Sequence, residues 1–209
     1  MCIRDSLKEV IAIHTLNAGI APKDTIALYA SITAVMASQG ISVPRGGVNE
    51  IPQMLARLAV HAGVEIKLNE RIVKVSKGYV KTESAEYRPD YIVSSLDPQV
   101  LRTLMGKQAK PWPKRSCSGV AIYAVLKKPL PQHFVTHSVV MPNDPSELHA
   151  SLAKAKPPKQ TMAFLNYYKP NEIYPNQKAT VAVLLTAPAD GKHYDLNSEW
   201  VRSELDRIS

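Results

Sequence analysis

A pair of glycines followed by a helix constrains this chain more than any other feature. Arg45-Gly46-Gly47 makes a turn whose backbone dihedrals glycine adopts most readily, and Asn49 after it is a helix-capping residue type. Between Ile51 and Ala62, apolar residues recur at helical spacing. Gly63 stands where a left-handed residue ends a helix. The stretch therefore predicts a helix with two defined ends.

The pattern after Gly63 changes from that of a helix to that of strands. Short alternating runs separated by turns predict strands at residues 64–68, 72–75, 79–82 and 86–88. The continuous apolar run 91–93 predicts a strand that is covered on both faces. Asp97 and Pro98 follow as the cap and first residue of a new helix. The order predicted is a strand, a three-stranded meander and a return to a buried strand.

These residues, taken together, resemble the FAD-dependent phytoene desaturase and carotenoid isomerase family, which belongs to the amine-oxidase-like flavoproteins. The resemblance is carried by the following residues: Pro44, Gly46, Gly47, Ile51, Pro52, Leu55, Ala56, Leu58, Ala59, 63–66, Leu68, Asn69, Ile72, Val75, Asp90, 92–95, Asp97 and Pro98. It implies an FAD-dependent oxidoreductase, a desaturase, or an isomerase that acts on a carotenoid-type polyene. In either reaction the flavin supplies the hydride chemistry and the protein supplies position and a dry tunnel.

The expected fold is mixed α/β and α+β. Strands are predicted beyond residue 106 at 119–126, 134–141, 161–168 and 179–186, with a helix from Asp144 to about Ala155 between the second and third. They indicate a mixed, largely antiparallel sheet. The resemblance places a partial, Rossmann-like FAD-binding domain at 41–106 and a substrate-binding domain at 107–209, to which a helical part at 7–40 also belongs. A helix is predicted from Pro22 to about Ser38, and because no charge lies between Asp24 and Arg45 we expect it to be buried or to line a cavity.

Both ends of the chain are expected to be cut. Residues 1–6 resemble the short peptide that sequencing-adapter read-through leaves on assembled fragments, so we expect a non-native leader there. Residues 197–208 predict a capped amphipathic helix at the other end. The substrate-binding domain is therefore expected to be truncated.

The resemblance also implies cofactor contacts. Ile72 would meet the adenine through its backbone, Ser94, Ser95 and Asp97 would lie at the carboxyl edge of a central strand, and Gly46 and Gly47 would let the backbone approach the flavin. An alternative stays open for several of these residues. Ile72 can be a core strand residue, Asp97 a helix cap, and the glycine pair simply a turn.

Other features limit the chemistry of the isolated chain. The sequence has no G-x-G-x-x-G phosphate cradle, so we expect the isolated chain to bind FAD poorly and to be inactive. No general base, other catalytic residue or metal site is identifiable. His137 is either a polar position on a half-exposed strand or part of the lining of a substrate tunnel.

The charge of +8 is concentrated locally. No acidic residue lies between Pro98 and Asn143, a stretch that carries Lys107, Lys110, Trp112, Lys114 and Arg115. A solvated loop surface is the favoured interpretation, and contact with an anionic membrane is the alternative. Nucleic-acid binding is excluded because no recognition motif accompanies the charge. Two cysteines without metal spacing fit a reducing compartment, so we expect a cytoplasmic protein, with peripheral attachment to a membrane as the alternative.

Two further functions stay open at this stage. Within enzymes, the alternative is a related flavin amine oxidase or a retinol-saturase-like reductase. From another class, the alternative is a basic peripheral membrane or scaffold module without a cofactor.

Overall fold

The structure, a computed structural model, describes residues 8, 11–18, 21–110 and 116–209. The chain divides into two compact units. Residues 1–50 and 115–209 form the large unit, and residues 51–114 form the small unit. The expected leader at 1–6 lies outside the described residues. The assignment of 7–40, 41–106 and 107–209 to substrate and flavin domains stays a prediction.

The described residues contain helices and strands in both units. Three 3₁₀ turns come first, at Ile13–Ala18, Pro22–Asp24 and Ala27–Tyr29. The α-helices are α1 (Ala30–Gln39), α2 (Glu50–His61), α3 (Pro98–Leu104), α4 (Pro145–Ala153) and α5 (Glu199–Ile208). The strands are β1 (Ile72–Ser76), β2 (Tyr79–Thr82), β3 (Glu86–Tyr87), β4 (Ser118–Val125), β5 (His137–Val140), β6 (Ala163–Tyr168) and β7 (Thr180–Ala187).

Helix α2 ends as the sequence predicts. Gly63 has a φ of 85°, and its N–H donates to the Val60 carbonyl at 3.0 Å. The N–H of Val64 donates to the Ala59 carbonyl at 3.0 Å. These two bonds make a Schellman motif, which satisfies carbonyls that the last helical turn would otherwise leave unpaired.

The predicted meander is confirmed in the small unit, where β1, β2 and β3 pair antiparallel in that order. The Glu70 carboxylate, which precedes β1, fixes the far end of the meander. It accepts hydrogen bonds from the hydroxyls of Tyr87 at 2.7 Å, Thr82 at 2.8 Å and Ser84 at 3.2 Å. The bond from Tyr87, more than the others, lowers the pKa of Glu70.

The strands predicted at 64–68 and 91–93 are absent, so that prediction is wrong. Both segments are irregular in the structure, and Tyr91 and Val93 are 90% and 98% exposed. The residue types suit a covered strand, but a strand exists only where a neighbour accepts and donates its backbone hydrogen bonds. No strand of the small unit's described residues pairs with either segment.

Helix α3 begins at the predicted cap. An oxygen of the Asp97 carboxylate accepts from the N–H of Gln99 at 2.7 Å and of Val100 at 3.3 Å. Pro98 occupies the first helical position, where its missing N–H costs nothing. The helix packs near β1 within the small unit.

The large unit is built on one antiparallel sheet with the strand order β4-β7-β6-β5. Its strands lie where the sequence predicts them, and Asp144 caps α4 through the N–H groups of Ser146 and Glu147, each at 3.0 Å. Both sheets of the described residues are antiparallel, so mixed helices and antiparallel sheets are confirmed. The Rossmann-like part of the expectation is not confirmed.

One face of this sheet holds the core. Helix α5 packs its apolar stripe there, and the core consists of Ala163, Val183, Leu185 and Val201 with partly buried neighbours that include Ile122, Trp200 and Leu205. A charged pair fixes the helix to the sheet. Glu204 is 1% exposed and accepts from the N–H of Thr161 at 3.0 Å and from Nη2 of Arg207 at 2.8 Å. Arg207 Nη2 also donates to the Thr161 carbonyl at 2.5 Å.

Helix α1 is not buried, which corrects the prediction for 22–38. No residue of α1 is buried, and the segment before it forms 3₁₀ turns instead of a longer helix. Its apolar residues are spread around the axis, so they form no single stripe that could face a core. Among the described residues, no helix is long and apolar enough to cross a membrane.

Candidate functional site

The face of the large sheet opposite α5 carries a row of side chains from all four strands. Tyr123 of β4 pairs with Ala182 of β7, Ala182 pairs with Asn166 of β6, and Asn166 pairs with His137 of β5. Directly paired residues of antiparallel strands point to the same face. Tyr123 is 81% exposed, so this face is open around Tyr123, whereas Phe164 farther along β6 packs in a cluster with Leu148 of α4.

A groove runs over this face along β7. It has a volume of about 280 Å³. The small residues Thr180 and Ala182 form its floor, Tyr123 and Val125 of β4 form one wall, and Tyr168 and Tyr174 contribute the rest of its side-chain lining. This lining is aromatic and aliphatic and holds no charged side chain, which suits an apolar ligand.

The hydroxyl of Tyr168 stays protonated at neutral pH because its pKa is raised. Burial raises the pKa of Tyr168, and the nearby Tyr174 and Glu172 raise it further. The rings of Tyr168 and Tyr174 meet edge to face, with centroids 6.4 Å apart and planes at 89°. This is a favourable arrangement of two aromatic quadrupoles, so each ring helps to orient the other.

The glycine pair lies against the groove's aromatic wall. Gly47 is buried with a φ of 93°, and a Cβ placed on it would stand 2.5 Å from Cε1 and 2.7 Å from Cζ of Tyr174. The N–H of Gly46 donates to the Ile173 carbonyl at 2.9 Å. Both glycines therefore contact the loop that carries Tyr174, and the surface of Gly47 is covered by a protein side chain.

His137 lies next to the groove but is not one of its lining residues. It is exposed, and its Nδ1 lies 2.6 Å from Oδ1 of Asn166. The two side chains form a polar edge beside the apolar groove. The predicted role of His137 toward a substrate stays a prediction.

The other predicted cofactor residues lie in the small unit. Ile72 pairs with Thr82 at the start of β1, and its backbone is extended as the prediction requires. Ser94 Oγ accepts from the N–H of Leu96 at 3.2 Å, Ser95 is exposed, and Asp97 caps α3. Within the small unit these residues are therefore exposed or used in local hydrogen bonds. Their role toward a flavin stays a prediction.

The sequence pattern of the family described as "Flavin containing amine oxidoreductase" matches residues 5–131, which is more than half of the 209 residues. This chain belongs to that family. The match spans the glycine pair, α2, the meander and α3, the segments on which the resemblance was based. The resemblance to flavin amine oxidoreductases is thus confirmed.

Two curated proteins are similar to this member of the family. The chain is 27% identical over 124 residues to a protein of Streptomyces griseus named "Phytoene dehydrogenase", covering 56% of this chain and 24% of that protein. It is 22% identical over 206 residues to a "zeta-carotene-forming phytoene desaturase" of Myxococcus xanthus, covering 92% of this chain and 40% of that protein. The chain thus spans two fifths or less of the length of these relatives.

Membership in a flavin-containing family implies a flavin, and in this structure the glycine pair does not form an open cradle for its phosphates. An anion cradle needs open glycine N–H groups ahead of a helix, as in the Rossmann phosphate turn. Here Tyr174 covers Gly47, and Gly46 gives its N–H to Ile173. No parallel strand is present among the described residues to place a second cradle.

Other predicted contacts have no site in the described part of the chain. No group of three or more histidine, cysteine, aspartate or glutamate side chains that could hold a metal ion is found among the described residues. Trp112, Lys114 and Arg115 lie outside the described residues. Lys107 and Lys110 are exposed, and their predicted membrane contact stays a prediction.

The sequence analysis missed the residues of the groove. Tyr123 is far from Tyr168 and Tyr174 in the chain, and the three tyrosines share no motif. Alternation within the predicted strands was the available signal, since it places Tyr123 and Val125 on one face of β4. Only the register of β7 shows that these side chains surround Thr180 and Ala182.

Proposed function

We propose that the whole protein is an FAD-dependent desaturase of a carotenoid-type polyene, and that this chain contributes the groove that binds the polyene. Three findings support this function. The chain belongs to a flavin family, and both relatives have names that refer to phytoene. The third finding is the groove, whose side chains are apolar or neutral.

The groove carries most of the argument about substrate. An amine or another charged substrate needs a charged or strongly polar partner where it is desolvated, and the groove offers none. A hydrocarbon needs only apolar contact and a shape that excludes water. The floor of small residues between aromatic walls has that shape, and it suits part of a long polyene.

The flavin contacts are proposed for the whole protein only. We place Ile72, Ser94, Ser95 and Asp97 near the flavin nucleotide when the rest of the protein is present. For Gly46 and Gly47, packing against Tyr174 supports the alternative interpretation, in which the pair makes a turn. Desaturation is preferred to isomerisation because one relative is named a dehydrogenase and the other a desaturase.

The test is to determine the gene sequence upstream of Leu7 and to assay the full-length product. We expect a G-x-G-x-x-G after a predicted strand, and conversion of phytoene to more conjugated products in the presence of FAD and an electron acceptor. A matched variant, Ala182→Trp, fills the groove and should abolish turnover of phytoene while FAD binding is retained. A complete gene without a dinucleotide fingerprint, or turnover of an amine instead of phytoene, would contradict the proposal.

A further inference from the structure

The loop between β6 and β7 connects the glycine pair to the groove. The loop leaves the sheet at Tyr168 and returns at Thr180, which are paired with each other at this end of the groove. Tyr174 lies within the loop, lines the groove, and is 40% exposed. It is thus the lining side chain that no strand holds.

Two contacts fix Tyr174 even so. The first is the bond from the N–H of Gly46 to the carbonyl of Ile173, which holds the loop backbone one residue before the ring. The second is the approach of the ring to Gly47, so close that any Cβ there would overlap it. The edge-to-face contact with Tyr168 orients the ring from the other side.

The ring position therefore depends on a glycine that is more than 120 positions away in the chain. A residue larger than glycine at position 47 would displace the Tyr174 ring. A residue smaller than tyrosine at position 174 would remove the aromatic side chain that lines this end of the groove. Thr180 and Val125, which lie at the same end, are too small to replace it. Tyr168 also lines this end but is held in β6, so Tyr174 is the lining side chain at this end whose position depends on a loop.

We propose that Tyr174 sets how far a rod-shaped polyene extends along the groove, and that Gly47 is the positioning residue that holds Tyr174 there. This inference rests on the proposed function, because it takes the polyene as the occupant. The glycine pair then acts in selecting substrate length, in addition to making the turn ahead of α2.

The test measures selectivity for polyene length in the full 209-residue chain. Retinol is the short probe, followed by its own fluorescence, and phytoene in detergent micelles is the long probe, followed by displacement of retinol. Tyr174→Ala should improve binding of phytoene relative to retinol by about tenfold or more, since tenfold is the lower end of the effect of one methylene group in an apolar pocket. Gly47→Ala should shift the ratio in the same direction, and Tyr174→Phe should leave it unchanged because the ring is retained.

Controls separate this inference from the proposed function. Tyr91→Ala removes an exposed tyrosine of the small unit and should change neither affinity, whereas Ala182→Trp should abolish both. Circular dichroism and thermal melts of each variant identify any loss of folding.

If Ala182→Trp abolishes binding but Tyr174→Ala leaves the ratio unchanged, the inference on Tyr174 is wrong and the groove assignment stands. If the wild-type chain binds neither polyene, the groove assignment and the inference fail together.

Discussion

Glu204 shows how one carboxylate can hold a helix to a sheet. It is almost fully buried, yet each of its partners is in place: the N–H of Thr161 and the guanidinium of Arg207. Arg207 in turn donates to the Thr161 carbonyl, so helix α5 satisfies both backbone groups of a residue just before β6. A buried charge is tolerated only when such partners compensate for lost water.

Removing this carboxylate should therefore destabilise the large unit strongly. Glu204→Ala leaves the charge of Arg207 and the N–H of Thr161 without their partner, and we expect the free energy of unfolding to fall by about 3 to 5 kcal/mol. Urea denaturation followed by circular dichroism measures it. Glu83→Ala is the matched control. Oε1 of Glu83 lies 3.9 Å from Nη1 of Arg71 in an exposed ion pair, so its loss should change the free energy of unfolding little. Equal effects of the two substitutions would show that the buried pair has no special role.

In the small unit, local hydrogen bonds determine where helices and turns form, but they do not determine which apolar side chains are buried. The end of α2 and the meander depend on neighbours close in the chain, namely the bonds of Gly63 and the hydroxyls around Glu70. Residues 64–68 and 91–93 have strand-like sequences, but their apolar side chains face water. Exposed apolar segments of this kind are sites of association when they remain uncovered.

Substitution of Val93 tests this description. Val93→Lys should change the free energy of unfolding of the 209-residue chain by no more than about 0.5 kcal/mol, because surface positions rarely matter more, and it should reduce self-association in analytical ultracentrifugation. Val75, which is buried in β1, provides the contrast. Val75→Lys should destabilise the small unit severely. A severe loss of stability from Val93→Lys would mean that residues 91–93 are covered in solution.

The parts of the fold that the sequence predicts well are those with local causes. Gly63 ends α2, Asp97 begins α3 and Asp144 begins α4, because a cap acts within four residues. Burial could not be predicted in the same way. Residues 91–93 have the apolar side chains that a covered strand requires. Whether another strand pairs with them depends on residues that are distant in the chain.

The candidate site was predictable to an even smaller extent. His137 is visible in the sequence as a polar residue of a predicted strand, but it lies outside the groove lining and its role toward a substrate stays a prediction. The groove was not, because its walls are brought together by a register that joins β4 to β7 and β7 to β6. Gly47 was predicted to be a turn residue. Its contact with Tyr174 was not predicted, because Tyr174 lies in a loop that is distant in the sequence.

At the scale of the whole molecule, the described residues form an apolar groove but no open phosphate cradle. The large unit has a formed groove, but the glycine turn that could have faced a nucleotide is covered by Tyr174. The relatives are much longer than this chain, and more than half of each lies outside the similarity. Flavin binding is therefore proposed to need the longer protein.

Titration with FAD tests this division. We expect the 209-residue chain to leave the fluorescence of free FAD unchanged, because the described residues provide no open cradle for its pyrophosphate. The full-length gene product should quench that fluorescence in a saturable manner. Saturable binding of FAD by the 209-residue chain alone would contradict this expectation and would require a cradle different from the one considered above.

The strand order has a consequence for synthesis on the ribosome. Of the four strands of this sheet in the described residues, β7 is the last to emerge, yet it occupies the middle of the sheet, between β4 and β6. Until it has left the exit tunnel, β5 and β6 can pair with each other, but β4 has no partner within the large unit and waits as an unpaired edge. Pairing between distant segments is slow and exposes such edges to misassembly, so the nascent chain is most vulnerable just before Thr180 appears.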